Sequence, residues 1–289
     1  MNLLDDLKWQ YKSGGYEQKL IYWNCGVYLL SVLFFYQFQW GVFNFPSWLA
    51  LSSDVAEVAT KPWTLLTYFF FHASFFHLLF NMIVLNYAGR MFLTFFNQKQ
   101  LLGLYLLSGI FSGLSFSLLY PIFRDSHSLI VGASGAIMAI LVATATYAPM
   151  MDIRLLLIGH VRLWQFTVVI LFLDLIQIFT ENTGGHIAHL SGALFGFLYV
   201  KLLQSGIDLS QPITFIFDTW AMRTKKKGTP FKKVHRNAPS PSAQRPTTRV
   251  VTKDKTQQQI DEILDKISQS GYDSLTQDEK EFLFKAGKQ

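Results

Sequence analysis

Ser134 stands in the otherwise apolar stretch LIVGASGAIMAIL, residues 129–141. A serine hydroxyl becomes a nucleophile when a nearby base takes its proton, and histidine is the usual base near neutral pH. The stretch HIAHLSGALFG supplies two histidines, His186 and His189. We predict that His189 is the base for Ser134. For His186 the sequence favours a place at the end of the preceding loop, with a direct role as the alternative.

A third stretch, HASFFHLLFN, carries donors that suit the oxyanion of a tetrahedral intermediate. His77 and Asn81 are four residues apart, so on a helix they share one face. The backbone N–H of Ser134 adds a further donor, because first-turn amides are unpaired and lie at the positive end of the helix dipole. His72 lies about 140° around the helix from His77, which predicts a structural or hydrogen-bonding role.

Small residues accompany both the serine and the histidine. Gly132, Gly135 and Ala136 flank the serine, and Gly192 and Gly196 form a GxxxG pair after His189. Small residues allow helix backbones in a membrane to approach closely. The pattern therefore predicts close packing of the two helices, which would bring a short serine side chain within reach of an imidazole.

Asp174 is an acid inside the apolar stretch LFLDLIQIF. An acid in a membrane segment is costly and needs a partner. It could orient His189 as a third catalytic member, or it could be a structural carboxyl satisfied by its neighbours, and the sequence favours the second interpretation. Cys25 is the single cysteine, which excludes an internal disulfide and a cysteine-based metal site. We predict no metal and no organic cofactor.

The elements that position these residues are predicted from composition. The chain is 51% hydrophobic and 15% charged, whereas an ordinary soluble domain has about 25% charged residues. A membrane-spanning helix needs about 20 mostly apolar residues. The sequence predicts an all-α, polytopic bundle of six transmembrane helices in a lipid bilayer, at residues 20–38, 63–87, 101–119, 133–148, 163–179 and 185–203.

Positive charge predicts the orientation of the bundle. Nine of the lysines and arginines fall between residues 221 and 250, directly after the last apolar segment. This placement indicates a juxtamembrane basic tail on the cytoplasmic side and argues against nucleic acid as a partner of the +6 chain. With both termini cytoplasmic, the inner segments carry Lys8, Lys12, Lys19, Arg90, Lys99, Arg154 and Arg162, and the outer ones Lys61 and Arg124.

The same arrangement places the three polar clusters at a similar depth, because the second, fourth and sixth helices all begin at the outer face.

We predict that the chain has four regions. The first is a cytoplasmic N-terminal segment without a signal peptide, residues 1–19, and the second is the six-helix domain, residues 20–205. Residues 206–255 form an interfacial stretch followed by a basic linker rich in Pro, Ser and Thr. Residues 256–289 form a small cytoplasmic helical hairpin that could bind a cytoplasmic partner, with Gly271 ending its first helix.

The sequences GASG, AHLSGALFG and HASFFHLLFN together resemble the rhomboid family of intramembrane serine proteases. The family pattern is GxSG on the fourth helix, AHxxGxxxG on the sixth and HxxxxHxxxN on the second, and all three are complete here and in order. The resemblance covers about residues 15–205. It implies cleavage of transmembrane-helix substrates near the outer membrane face, in a bacterial inner membrane.

The resemblance also implies roles for single residues. Ser134 would be the nucleophile and His189 the base, as a dyad that requires no acid. His77 and Asn81 would help to form the oxyanion hole, Gly132 would shape its loop and His72 would support it.

The sequence departs from the family at three places. Many members carry an aromatic residue where this chain has Met138, which contacts an imidazole less rigidly. The first outer loop lacks the Trp-Arg pair of some members. The last segment resembles a tail found on some bacterial rhomboids.

Other functions remain as alternatives. A catalytically inactive rhomboid-like protein would bind transmembrane clients, although such relatives usually lack the serine or the histidine. A transporter or channel could use the histidines as a proton or metal path, but it would not explain GASG at a helix start. A metalloprotease is disfavoured because HExxH is absent, and a soluble serine hydrolase because GASG is not the GxSxG elbow.

Overall fold

The computed structural model describes residues 2–155, 159–224 and 255–286. The chain divides into two compact units, Met1–Lys226 and Lys227–Gln289, and each is described by itself. The first unit is helical, as predicted. Its helices are α1 Leu3–Ser13, α2 Tyr16–Phe35, α3 Val55–Thr60, α4 Thr64–Thr67, α5 Phe75–Leu93, α6 Gln98–Phe123, α7 Ser134–Tyr147, α8 Leu163–Gln177, α9 Thr183–Gln204 and α10 Gln211–Thr224.

Membrane-crossing potential can be assessed for the described helices by length and composition. Two of them, α6 and α9, are long and apolar enough to cross a membrane. The pair Thr64–Phe70 and Phe75–Leu93 would add a third crossing if it is counted as one span, and α7 and α8 are shorter apolar helices. Apolar helices thus form in five of the six predicted segments, which agrees with a polytopic membrane bundle, whereas α2 in the first predicted segment is not among these candidates.

The second predicted helix, residues 63–87, is not continuous. It bends by 94° between Thr64–Phe70 and Phe75–Leu93. The hydroxyl of Ser74 caps α5 by accepting a hydrogen bond from the His77 amide at 3.1 Å. This cap offers the backbone an alternative to helix and explains the break. At its other end α5 extends to Leu93, beyond the predicted end at residue 87.

The other helix boundaries differ by a few residues from the prediction. The third helix begins earlier, at Gln98, because Asn97 and Gln100 form a capping box with two hydrogen bonds of 3.0 Å. It also continues past Pro121 to Phe123. The stretch predicted to be interfacial contains the helix α10.

Three short antiparallel strand pairs, which the sequence did not predict, connect loops. They are β1 Tyr36–Gln37 with β2 Val42–Phe43, β3 Leu51–Ser52 with β4 Leu129–Ile130, and β5 Asp152–Leu155 with β6 Gly159–Arg162. The β3–β4 pair joins the first loop to the segment just before Gly132. It therefore fixes the approach of the chain to the serine.

The first loop also has internal ties. Asp54 caps α3 by accepting from the Ala56 amide at 2.8 Å. The Lys61 ammonium lies 2.6 Å from the Glu57 carboxylate. Hydrogen bonds to the Glu57 carboxylate lower its pKa from 4.5 to about 2. The bond from Lys61 contributes most, and the bond from Ser52 contributes next.

The core of the first unit surrounds α7. Every residue of α7 from Gly135 to Ala145 is buried. This helix packs most extensively against α9 and also contacts α5 and α6. The helix α8 lies at the edge, since of its fifteen residues Leu163, Thr167 and Asp174 are buried. A largely buried α7 is the fixed element on which a site can be built.

The second unit contains the predicted hairpin, made of α11 Lys255–Ser270 and α12 Gln277–Ala286. Gly271 follows α11 at φ +79°, a conformation that favours glycine. The Thr276 amide donates to the Glu279 carboxylate at 2.7 Å, which is one half of a capping box at the start of α12. Of the predicted basic linker, residues 225–254 lie outside the described residues.

Candidate active site

Ser134 is the first residue of α7. The backbone reaches it through Gly132 at φ +141°, where a side chain would be strained, and the Gly132 amide donates to the Tyr68 carbonyl at 3.0 Å. The preceding residue, Ala133, makes no side-chain hydrogen bond to the helix start. First-turn amides are thus not capped by a side chain and are available to a ligand.

His189 and His186 lie one turn apart on α9 and share one acid. The Nδ1 atom of His189 lies 2.9 Å from Oδ1 of Asp174, and the Nδ1 atom of His186 lies 2.7 Å from the same oxygen. A carboxylate only accepts hydrogen bonds, so each Nδ1 carries a hydrogen. In a neutral ring this leaves Nε2 as the acceptor. His189 is therefore held in the tautomer that a base for Ser134 requires.

One cavity of about 720 Å³ brings the predicted residues together. Most of its polar lining comes from four helices, α5, α7, α8 and α9. The polar residues are Ser134, His189, His77, Asn81, Asp174 and Gln177, together with Tyr68 and with Asn182 directly before α9. The apolar lining includes Ile137, Met138, Leu141, Phe166, Ile170 and Leu173.

Ser134 and His189 face this cavity without a hydrogen bond between them among the described residues. The predicted hydrogen bond of about 2.6–3.2 Å between them is therefore absent, and a somewhat longer separation without substrate stays a prediction. Catalytic hydrogen bonds often form only when substrate is bound, so the absence of this bond is compatible with an activated serine.

The predicted oxyanion donors lie beside the serine. A Cβ placed on Gly132 would lie 2.9 Å from Nε2 of His77 and 3.8 Å from Oγ of Ser134, so the three residues are neighbours. Asn81 is 8% exposed, and its amide nitrogen has no hydrogen-bond partner among the described residues. A buried donor without a partner is costly and suits a transient acceptor in the cavity.

His72 is fully buried behind these donors. Its ring packs edge-to-face against His77, with centroids 5.1 Å apart. It does not line the cavity and instead supports the His77 ring.

The glycines of α7 and α9 lie at the contact between the two helices. A Cβ on Gly192 would collide with the Gly135 carbonyl, and one on Gly196 with the Ala139 carbonyl. A Cβ on Gly135 would lie 2.8 Å from Ser112 and 3.0 Å from the Ala188 carbonyl. The backbones therefore touch at both glycines of the GxxxG pair.

Comparison with known proteins identifies the fold. Residues 59–205, which are 147 of the 289 residues, match the Rhomboid domain. The chain belongs to the rhomboid family. Residues 251–287 match a second family, DUF6576, whose function is unknown.

This rhomboid is similar to the mammalian presenilin-associated rhomboid-like protein, mitochondrial. The Bos taurus protein is 30% identical over 184 residues, 61% of this chain and 47% of the relative. The Homo sapiens protein is 33% identical over 155 residues, 52% of this chain and 39% of the relative. The chain spans less than half the length of these relatives. Because they are mitochondrial, they do not support the predicted bacterial membrane, which stays a prediction.

In this rhomboid Asp174 hydrogen bonds to both His189 and His186. This pairing suits both predicted roles, the orientation of His189 and a structural carboxyl satisfied by its neighbours, and does not separate them. A sequence signal for its burial is spacing, because Asp174 falls on the same face of α8 as Leu163 and Thr167. His186 likewise contacts Asp174 rather than standing free at a loop end.

Met138 lines the cavity of this rhomboid and is 7% exposed. It lies one helical turn after Ser134, where many family members carry an aromatic residue. A thioether there keeps the wall apolar while leaving the imidazole of His189 to be held by Asp174.

Proposed function

We propose that this rhomboid is an intramembrane serine endopeptidase. It hydrolyses a peptide bond in or next to a transmembrane helix of a substrate protein. The proposal rests on one observation above all: Ser134, His189, His77 and Asn81 line a single cavity in a chain of the rhomboid family.

The nucleophile and the base follow from the hydrogen bonds. Nδ1–H of His189 is held by Asp174, so Nε2 takes the proton of the Ser134 hydroxyl as Oγ attacks the scissile carbonyl. Asp174 acts through His189 and is a positioning residue. It fixes the ring tautomer and stabilises the imidazolium that forms.

The oxyanion of the tetrahedral intermediate is stabilised by three donors. They are the amide of Ser134 at the α7 start, the His77 imidazole and the Asn81 amide nitrogen that lacks a partner. Donors aimed at the developing charge in a site of low dielectric constant contribute a large part of catalysis.

The leaving amine then takes the proton from His189, and the acyl-serine is hydrolysed by water through the reverse sequence. All of these groups belong to the chain itself, so the mechanism uses no metal and no organic cofactor. We infer that this water reaches the acyl-serine through the cavity, whose lining contains both polar and apolar side chains.

The substrate must expose its backbone to react. In lipid every backbone group of a helix is hydrogen-bonded internally, so the scissile segment has to unwind. Substrates with glycine, proline or small residues at the depth of Ser134 are therefore expected. We further propose that this depth lies near the outer membrane face, with both termini of the chain in the cytoplasm.

Labelling with a fluorescent fluorophosphonate tests the activated serine. Wild type in detergent micelles should label, and both Ser134→Ala and His189→Ala should lose the label. The matched control is Ser31→Ala, because Ser31 is a buried helix serine that bonds to its own Val27 carbonyl at 2.8 Å. This control should label as wild type does.

Proteolysis is tested separately in proteoliposomes, with a transmembrane peptide that carries a fluorophore and quencher around a glycine-containing site. Loss of cleavage in Ser134→Ala, with labelling and cleavage in Ser31→Ala, supports the endopeptidase. Failure of a well-folded wild type to label or cleave would favour the catalytically inactive, client-binding alternative.

A further inference from the structure

Asp174, His186 and His189 form a cluster of three potential metal ligands. One ligand atom from each residue lies within 4.8 Å of those of the other two. The side chains are 8%, 11% and 24% exposed, respectively, so the cluster is largely shielded from solvent. The proposed mechanism uses His189 and Asp174 but has no task for His186.

The donor set suits zinc. Two imidazole nitrogens and one carboxylate oxygen, with a fourth position open, are a known zinc ligand set. In a tetrahedral site with bonds of about 2.0–2.1 Å, neighbouring ligand atoms lie about 3.3 Å apart. Here Nδ1 of each histidine lies 2.7 or 2.9 Å from Oδ1 of Asp174. Each Nδ1–Oδ1 distance would therefore lengthen by about 0.4–0.6 Å when the ion binds.

A second observation concerns the other oxygen of the same carboxylate. Asp174 is 6% exposed, and its Oδ2 atom has no hydrogen-bond partner among the described residues. A buried carboxylate oxygen without a donor is costly, and a cation beside it would remove that cost. The cavity that Asp174 and His189 line provides the entry path.

We propose that Asp174, His186 and His189 bind one Zn²⁺ ion and that this ion switches the enzyme off. The proposed zinc binding rests on the geometry of these three residues and does not depend on the protease function. The inhibition rests on the proposed protease function.

The inhibition follows from the different roles of Nδ1 and Nε2 in the imidazole ring of His189. Coordination of Zn²⁺ through Nδ1 of His189 requires that nitrogen to be deprotonated. In the neutral ring the hydrogen then moves to Nε2. An Nε2–H is a donor and cannot accept the proton of Ser134. The metal therefore removes the base without touching the serine.

Binding is measured first, on the full chain without an affinity tag, in the inactive Ser134→Ala background. A chromophoric zinc chelator competes for Zn²⁺ in detergent micelles. We expect one Zn²⁺ per chain with a dissociation constant of about 10 μM or below. His186→Gln and, separately, Asp174→Asn should weaken it by at least about tenfold.

His160→Gln is the matched control, because His160 lies in the β6 strand away from the cluster. It should bind zinc as the Ser134→Ala parent does. Thermal melting without zinc shows whether each variant is folded. Zn²⁺ should raise the melting temperature of the parent and of His160→Gln, and not that of His186→Gln. Absent binding, or equal affinity in all variants, overturns the site.

The inhibition is measured on the active chain with the same fluorophosphonate probe. Zn²⁺ should suppress labelling of wild type, EDTA should restore it, and His186→Gln should need at least about tenfold more Zn²⁺. Labelling that is indifferent to Zn²⁺ in a chain that binds it overturns the switch. If zinc binds but wild type never labels, the protease proposal fails and the site stands; if wild type labels but zinc does not bind, the site alone fails.

Discussion

At the scale of single residues, the imidazoles of His186 and His189 share one carboxylate oxygen, Oδ1 of Asp174. Both Nδ1 atoms point at Oδ1 of Asp174, so this acid sets the tautomer of the proposed base. Family resemblance implied a dyad without a required acid. In this chain Met138 stands where many family members carry an aromatic residue, and we propose that the hydrogen bond from His189 to Asp174 supplies the orientation instead.

Asp174→Asn should lower kcat by about 10²-fold with little change in KM. The asparagine amide can present its NH₂ group to Nδ1, which favours the wrong tautomer of His189. Peptide cleavage and fluorophosphonate labelling rates in proteoliposomes measure the effect, with thermal melting to show that the fold is kept. A kcat within about threefold of wild type would mean that Ser134 and His189 act without the acid.

At the scale of secondary-structure elements, the contact between α7 and α9 determines the geometry of the site. Their backbones touch where Gly192 meets Gly135 and Gly196 meets Ala139. This contact sets the distance between the helix start that carries Ser134 and the turn that carries His189.

Gly192→Ala should destabilise the protein by about 1–3 kcal/mol and reduce probe labelling, because the added methyl collides with the Gly135 carbonyl and pushes the helices apart. Gly26→Ala in α2 is the matched control, since a Cβ there meets no atom within 4 Å. The measurements are thermal melting and labelling rate. Equal behaviour of the two variants would show that the close approach of α7 and α9 is dispensable.

At the scale of the whole molecule, the distribution of positive charge predicts an orientation. By the positive-inside rule, the basic residues after α9 and in the loop between α7 and α8 predict that those segments lie in the cytoplasm. The loop between α6 and α7 would then face outward, on the side of the α7 start that carries Ser134.

Cysteine labelling tests this orientation in intact cells. Cys25→Ser removes the single cysteine, and Asp125→Cys or Met150→Cys adds one at an exposed loop position. A membrane-impermeant maleimide should label Asp125→Cys in intact cells and Met150→Cys only after permeabilisation. The reverse pattern would invert the proposed topology.

The sequence by itself determined the helical class, most of the apolar segments, the family and the principal polar residues of the cavity, Ser134, His189, His77 and Asn81. These follow from composition and from spacings within single helices, such as His77 with Asn81. Capping geometry was readable at Asn97 in retrospect, since its partner Gln100 is three residues away.

The tertiary structure decided what depends on separate segments meeting. The β3–β4 pair joins residues far apart in the chain, and the bend before α5 follows from packing together with the Ser74 cap. The pairing of Asp174 with two histidines joins α8 to α9 across a turn. Spacing within one helix cannot reveal such a contact, because it depends on how two helices are rotated against each other.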